Sequence, residues 1–314
     1  MEDYVFEEKD REELERAIRF AVESSPYTYK TTGMDDLKHM YNIFVGKLGE
    51  LVFKEYLRYG YPEIYKNIEG LEEIYRVYRG RTNIDKYDMN LLGRLIDVKT
   101  LPREESKYLM VPKNRWRDPK EEKIIYIPVR IKDEKNVINR VREEMEGNKE
   151  IKEKIEYVIR KGDEYEEWET FRSLEEISGS ETDRIDFKKS KIAQEISKET
   201  ENIVRVIKED IKLLDIFCEG KIGMEVLGYV TNENPGWIKD EGTIMVRRWG
   251  YRLNVDIEYM KSIKDLRKEE ISLNMKEDLL KRKIKMLEDV IRGKEGEGVY
   301  EVKEIVEDMK EVLE

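Results

Sequence analysis

Lys86-Tyr-Asp-Met-Asn-Leu-Leu-Gly-Arg-Leu-Ile-Asp-Val-Lys-Thr100 is the most informative stretch of this 314-residue chain. Its second half alternates, so Leu95, Asp97 and Lys99 face one side of a strand and Ile96, Val98 and Thr100 the other. A turn at Leu92-Gly93 pairs 91 with 94 and, counting outward, sets Asp88 directly across from Asp97, with side chains roughly 5 Å apart. Like charges so placed repel, and a divalent cation relieves the repulsion, because two such carboxylates are half of a hard-metal site. An acidic-x-basic triplet alone says little: with 71 acidic and 60 basic residues, roughly a dozen arise by chance. This one is set apart by its apolar frame, Leu-Ile-Asp-Val-Lys, on a strand where unpaired charge is expensive. A solvated hairpin in which Asp97 and Lys99 pair with neighbours accounts for the same residues.

A second feature lies upstream, in Ile43-Phe-Val-Gly-Lys-Leu-Gly-Glu-Leu-Val-Phe-Lys-Glu-Tyr-Leu57. This is an apolar helix with two internal glycines, each of which costs up to about 1 kcal/mol there. Gly46, Gly49, Glu50 and Phe53 share one stripe, so the helix can approach a sheet closely and direct Glu50 to the contact. A local ion pair of Glu50 with Lys47 or Lys54 is the alternative.

Composition narrows the chemistry. One cysteine, Cys218, excludes an internal disulfide and any multi-cysteine zinc site, and one histidine, His39, excludes paired-histidine catalysis. His39 sits in an ordinary amphipathic helical context, so chemistry rests on carboxylates, lysines, tyrosines and a metal. No stretch approaches the roughly 18 apolar residues of a membrane span, and Met1-Glu2-Asp3 does not open a signal peptide. A soluble, cytoplasmic protein is expected.

The net charge of −11 is unevenly spread. Asp133–Glu219 holds 25 acidic and 17 basic residues, leaving only −3 for the other 227. All seven prolines lie outside that segment, which reads as long helices with breaks at Gly162 and Ser178-Gly179-Ser180. It is flanked by strand-like runs at Lys123–Ile131 and Lys221–Thr231, with a third at Thr243–Val255. Helices are expected at Arg11–Val22 and Asp35–Tyr59, the latter stopped by Gly60-Tyr61-Pro62. The fold class is therefore mixed α/β, with a helical insertion at 133–219 and a helical C-terminal segment at 274–314. That last segment packs on the core or forms a dimer contact.

A Gly-Glu helix, an Asp before a turn and Asp-Val-Lys closing the next strand together resemble the PD-(D/E)XK nuclease superfamily. Asp88 matches its first acidic position, Asp97 the second, Lys99 the lysine and Glu50 the helix glutamate; Tyr87 stands where the family usually has Pro. The later order, Tyr108-Leu-Met-Val-Pro-Lys113, the Ile-Tyr-Ile-Pro-Val strand and Val-Leu-Gly-Tyr-Val, is similar to restriction-type relatives. The resemblance covers about Asp35–Leu273 without the insertion. It implies a restriction-endonuclease-like mixed central sheet flanked by helices, built from 1–132 and 220–273. It also implies Mg²⁺ or Mn²⁺ held by Glu50, Asp88, Asp97 and the Val98 carbonyl, and an endonuclease of restriction or defence type acting on DNA. RNA, single strands or branched DNA are alternative substrates.

Two further readings stay open: a non-catalytic module binding nucleic acid or protein, and an interaction protein working through its insertion. Val111–Lys120, with Lys113, Arg115, Trp116 and Arg117, and the run Arg247-Arg248-Trp249 have the basic-aromatic mix that suits phosphate contact and base stacking. An Arg-Trp pair stacked on a core edge would look the same. The acidic insertion is repelled by nucleic acid and suits a protein partner. Abundant Lys, Glu, Ile and Tyr with a single Gln, Gln194, fit a heat-adapted source; a thermal midpoint in the ordinary mesophile range would count against that.

Overall fold

The computed structural model describes residues 4–28, 34–66, 68–69, 74–79, 87–91, 94–101, 108–112, 116, 120, 122–133, 136–178, 182–220, 222–232, 238–239, 244–248, 251–255, 257–262 and 284. A short strand β1 (Tyr4–Val5) precedes helix α1 (Arg11–Ser24). Helix α2 (Asp36–Gly60) begins where the Asp35 carboxylate accepts hydrogen bonds from the backbone of Leu37 and Lys38 at 3.0 and 3.2 Å, supplying partners for orphan donors of the first turn. It stops before Pro62, which opens the single turn α3 (Pro62–Tyr65).

Strands β2 (Ile68–Glu69), β3 (Met89–Leu91) and β4 (Arg94–Leu101) form an antiparallel meander. After β5 (Tyr108–Pro112), β6 (Ile124–Lys132) returns parallel to β4. Then come α4 (Val137–Gly147), α5 (Lys149–Ser178), α6 (Thr182–Glu209) and α7 (Leu213–Gly220). Strands β7 (Gly223–Val226) and β8 (Val230–Thr231) follow and pair with β6. The last described strands are β9 (Ile238–Lys239), β10 (Ile244–Arg248), β11 (Tyr251–Val255) and β12 (Ile257–Ser262). The main sheet runs β1-β7-β6-β4-β3-β2, with β8 also on β6, so the chain is a mixed α/β structure with helices flanking a mixed sheet. No helix among the described residues is long and apolar enough to cross a membrane.

Four local expectations are corrected. The run at Thr243–Val255 is a hairpin, with Arg248 paired to Tyr251 and residues 249–250 outside the described residues. The run at Lys221–Thr231 is interrupted between Val226 and Val230. From the pair Val129–Val226 to the pair Tyr126–Val230, the second strand advances one residue more than β6 does, and Gly228 takes φ 140°. The cause lies on β6. Ile124 exchanges bonds with Asn232 and the Pro128 carbonyl accepts from Leu227, so the missing N–H of Pro128 faces this same edge, and the bulge falls where no ladder donor is available.

Gly162 does not break α5. A Cβ there would lie 2.3 Å from the Pro26 carbonyl oxygen, so the glycine serves a close approach of α5 to the loop after α1. Finally, β5, from the segment matched to restriction-type relatives, leaves the main sheet and pairs with β12 in a separate three-stranded sheet, order β5-β12-β9. The C-terminal segment 274–314 lies outside the described residues except Ile284, a buried helical residue.

The two sheet faces differ. Ile96, Val98, Ile125, Ile127, Val129 and Ile131 join α1, α2 and the roots of α4–α7 in one hydrophobic cluster, so the inserted helices share the core of the sheet. The other face carries Ile124, Tyr126, Leu227 and Val230 with Leu109 and Val111 of β5, and Leu95 packs against them. Where α2 crosses β4, the Thr100 hydroxyl donates to the Gly46 carbonyl at 3.2 Å, and a Cβ on Gly49 would stand 2.0 Å from the Thr100 Oγ1. We predict that Gly49→Ala lowers stability by about 1–3 kcal/mol, against the usual gain from replacing a helical glycine. Denaturant unfolding measures it, and a stabilised variant would contradict the packing described.

Candidate active site

The register expected for a Leu92-Gly93 turn is the register found: Leu91 pairs with Arg94 and Met89 with Ile96, residues 92–93 themselves lying outside the described residues. One step further out, the Asp88 backbone N–H donates to the Ile96 carbonyl at 2.9 Å. Regular pairing ends there. The Asp88 carboxylate then does what the next carbonyl of β3 would have done, accepting from the Val98 N–H at 2.6 Å. A strand residue directs N–H and C=O to the same edge, so the Val98 carbonyl also faces the edge that β3 vacates.

Asp97 and Lys99 follow one another on the sheet face opposite Ile96 and Val98. Asp97 is buried, and the Lys99 ammonium lies 2.5 Å from its Oδ1. Glu50 lies on α2, which packs on the Ile96–Val98–Thr100 face of the strand, and the charges of Asp97 and Lys99 act on its carboxyl from there. It too is buried, with its Oε2 2.6 Å from the Lys47 ammonium. Lys47 is itself buried, 4.1 Å from the centre of the Phe20 ring, a cation–π contact. The local ion pair of Glu50 with Lys47, the alternative that its i, i+3 spacing offers, is thus formed; the burial of Lys47 against Phe20 is the part that spacing does not show.

These groups feel one another. Burial pushes the Asp88 carboxyl well above the usual carboxylate range, and the negative charges of Glu50 and Asp97 push it further, against the pull of Lys99 and Lys47. Glu50 is also raised, first by burial and then by Asp97, with Lys47 and Lys99 opposing. Three carboxyl groups therefore share a poorly hydrated space with two ammonium groups.

The donor chemistry fits a hard divalent cation: oxygen ligands, with neither imidazole nor thiolate at hand. The arrangement itself is a carboxylate–ammonium cluster. Among the described residues no group of three Asp, Glu, His or Cys side chains is set around a common metal position; Glu50 is engaged by Lys47, Asp97 by Lys99 and Asp88 by the Val98 N–H. Glu50, Asp88, Asp97 and the Val98 carbonyl are the groups that would hold a cation.

The chain matches no family model, no curated protein and no solved structure. The site therefore stands on its own geometry.

The other candidates are placed as follows. Trp116 is half-buried against the smaller core and stacks on Tyr126, with ring centroids 6.0 Å apart and planes 12° from parallel. Arg247 and Arg248 lie on β10, opposite Arg252 and Tyr251 of β11. Lys113, Arg115 and Arg117 lie outside the described residues. His39 is buried, its Nε2 3.3 Å from the Ser25 carbonyl oxygen.

A raised acid keeps its proton in the folded state when the unfolded chain has already lost it. Stability then falls as pH rises from the unfolded carboxylate pKa through the folded one. We predict that the protein without divalent cation loses stability over that interval relative to Asp88→Asn, and that Mg²⁺ removes the difference. Thermal unfolding from pH 4 upward, with chelator or Mg²⁺, reads this; parallel curves for the two proteins would refute the assignment.

Proposed function

We propose that the chain is a divalent-metal-dependent nuclease with a restriction-endonuclease-like core, hydrolysing phosphodiester bonds in DNA. The observation that supports this reading most is the Asp97–Lys99 pair on β4 beside the end of β3, with the buried carboxyls of Asp88 and Glu50 near enough for these charges to shift both. A helix, a strand terminus and a strand interior each supply part of that set. The β3–β4 hairpin followed by a parallel β6 agrees with it.

Each residue has a part in such a reaction. Glu50, Asp88, Asp97 and the Val98 carbonyl would be the oxygen ligands. Bound among them, Mg²⁺ or Mn²⁺ would lower the pKa of an attacking water and neutralise charge on the phosphodiester and the leaving 3′-oxygen. Lys99 is held by Asp97 so that its ammonium can orient the water and stabilise charge growing on the phosphoryl oxygens. Lys47 keeps Glu50 compensated when no cation is present, which limits the cost of burying that carboxylate.

The two lysine pairs favour one other reading, in which the ammonium groups permanently neutralise the acids and the fold binds nucleic acid or protein without cutting it. The two readings differ in metal affinity. Incubation with plasmid, linear duplex, single-stranded DNA and RNA, with Mg²⁺ or Mn²⁺, is the direct test. Cleavage should fall at least about 10²-fold in Lys99→Ala and Asp97→Ala. No cleavage of any substrate by the wild type, together with no Mg²⁺ or Mn²⁺ binding by titration, would establish the non-catalytic reading; cleavage surviving both substitutions would refute the site.

A further inference from the structure

A cavity of about 260 Å³ opens beside Lys99, between the N-terminal half of α2, the C-terminal half of β4 and α4. Its polar lining is Lys38 and Asn42 from α2, Lys99 and Thr100 from β4, and Arg142 from α4. Among the described residues no carboxylate lines it. In a chain of net charge −11, the wall of this one small space draws basic residues from three separate elements. Arg142 does reach Glu146, at 3.3 Å along its own helix, and Lys99 reaches Asp97. Neither carboxylate is among the lining residues, and Lys38 and Arg142 make further interactions of their own.

Position and size point to the same kind of occupant. The cavity lies toward the carboxyl end of β4, a strand that runs parallel to β6, and ligands collect at such strand ends in open α/β sheets. At about 260 Å³ it falls just below the roughly 300 Å³ at which sites for drug-sized ligands begin. That admits a phosphate and its attached sugar, and not a stack of bases. A guanidinium fork, the Lys38 ammonium, an amide and a hydroxyl make a donor-rich lining of the sort that binds phosphate oxygens.

We infer that this cavity is a backbone-phosphate subsite: Lys38, Asn42 and Arg142 hold one phosphodiester group of the bound nucleic acid, next to the group that Lys99 faces. The assignment of the occupant to nucleic acid rests on the nuclease reading. In that setting the subsite fixes the register of the strand against the carboxylate cluster, as phosphate contacts do, without reading its sequence.

The test is binding of a fluorescent 20-base-pair duplex and the matching single strand by the full chain. Ca²⁺ replaces Mg²⁺, several salt concentrations are used, and inorganic phosphate is the competitor. Lys38→Met and Arg142→Gln should each weaken binding about 5- to 20-fold and reduce the slope of log affinity against log salt by about one. Lys38→Arg should restore both, which a merely structural role for Lys38 does not predict. Unchanged thermal midpoints show that the variants are folded. Wild-type affinity and slope in both variants, or binding of inorganic phosphate with neither oligonucleotide bound, would overturn the subsite. The nuclease reading fails separately: a wild type that binds through Lys38 and Arg142 yet never cuts in Mg²⁺ keeps the subsite and ends that reading.

Discussion

Three carboxyl groups and two ammonium groups occupy one poorly hydrated corner of the protein, where α2 passes the end of β3. Removing any of these charges from water is costly, and the cost is tolerable only because each has a partner at hydrogen-bond distance. Even so, the carboxyl groups outnumber the ammonium groups by one, and both Asp88 and Glu50 respond by holding protons more tightly than carboxyls in water do. An added positive charge at this corner would relieve the imbalance, whether it arrives as a proton or as a metal.

The corner exists because of a backbone contact. Gly49 presents only its backbone to Thr100, so α2 lies close against β4, where the charges of Asp97 and Lys99 act on the next residue, Glu50. The early end of β3 leaves the edge of β4 open, and the Asp88 carboxylate closes the last bond of the ladder in place of a carbonyl. Architecture and chemistry meet in the same few atoms: a bulkier residue at Gly49 or one more pair in the β3–β4 ladder would fill the site.

Much of this could be read in the chain, because its determinants are local. A two-residue connection sets a hairpin register, so the Leu91–Arg94 and Met89–Ile96 pairs followed from counting, and the glycine stripe of α2 announced a close approach. The direct facing of Asp88 and Asp97 did not follow: the ladder stops at Met89, and the Asp88 N–H goes to the Ile96 carbonyl. The rest of what escaped was non-local. Lys47 looked like one of the many i, i+3 charges in a chain with 42% charged residues; its burial on Phe20 depends on where α1 lies. Gly162 read as a helix breaker because its partner, the backbone at Pro26, is more than a hundred residues away. The departure of β5 to pair with β12 joins segments separated by nearly 150 residues, and alternation carries no address for its partner.

The inserted helices share the hydrophobic cluster of the sheet, and α5 runs through Gly162 without interruption. At 1.5 Å per residue its 30 residues measure roughly 45 Å. Rooted beside α2 and paired with α6, such a stem has its length set by the pitch of the helix. Whole turns gained or lost would change that length in steps of about 5.4 Å while preserving which way the end faces.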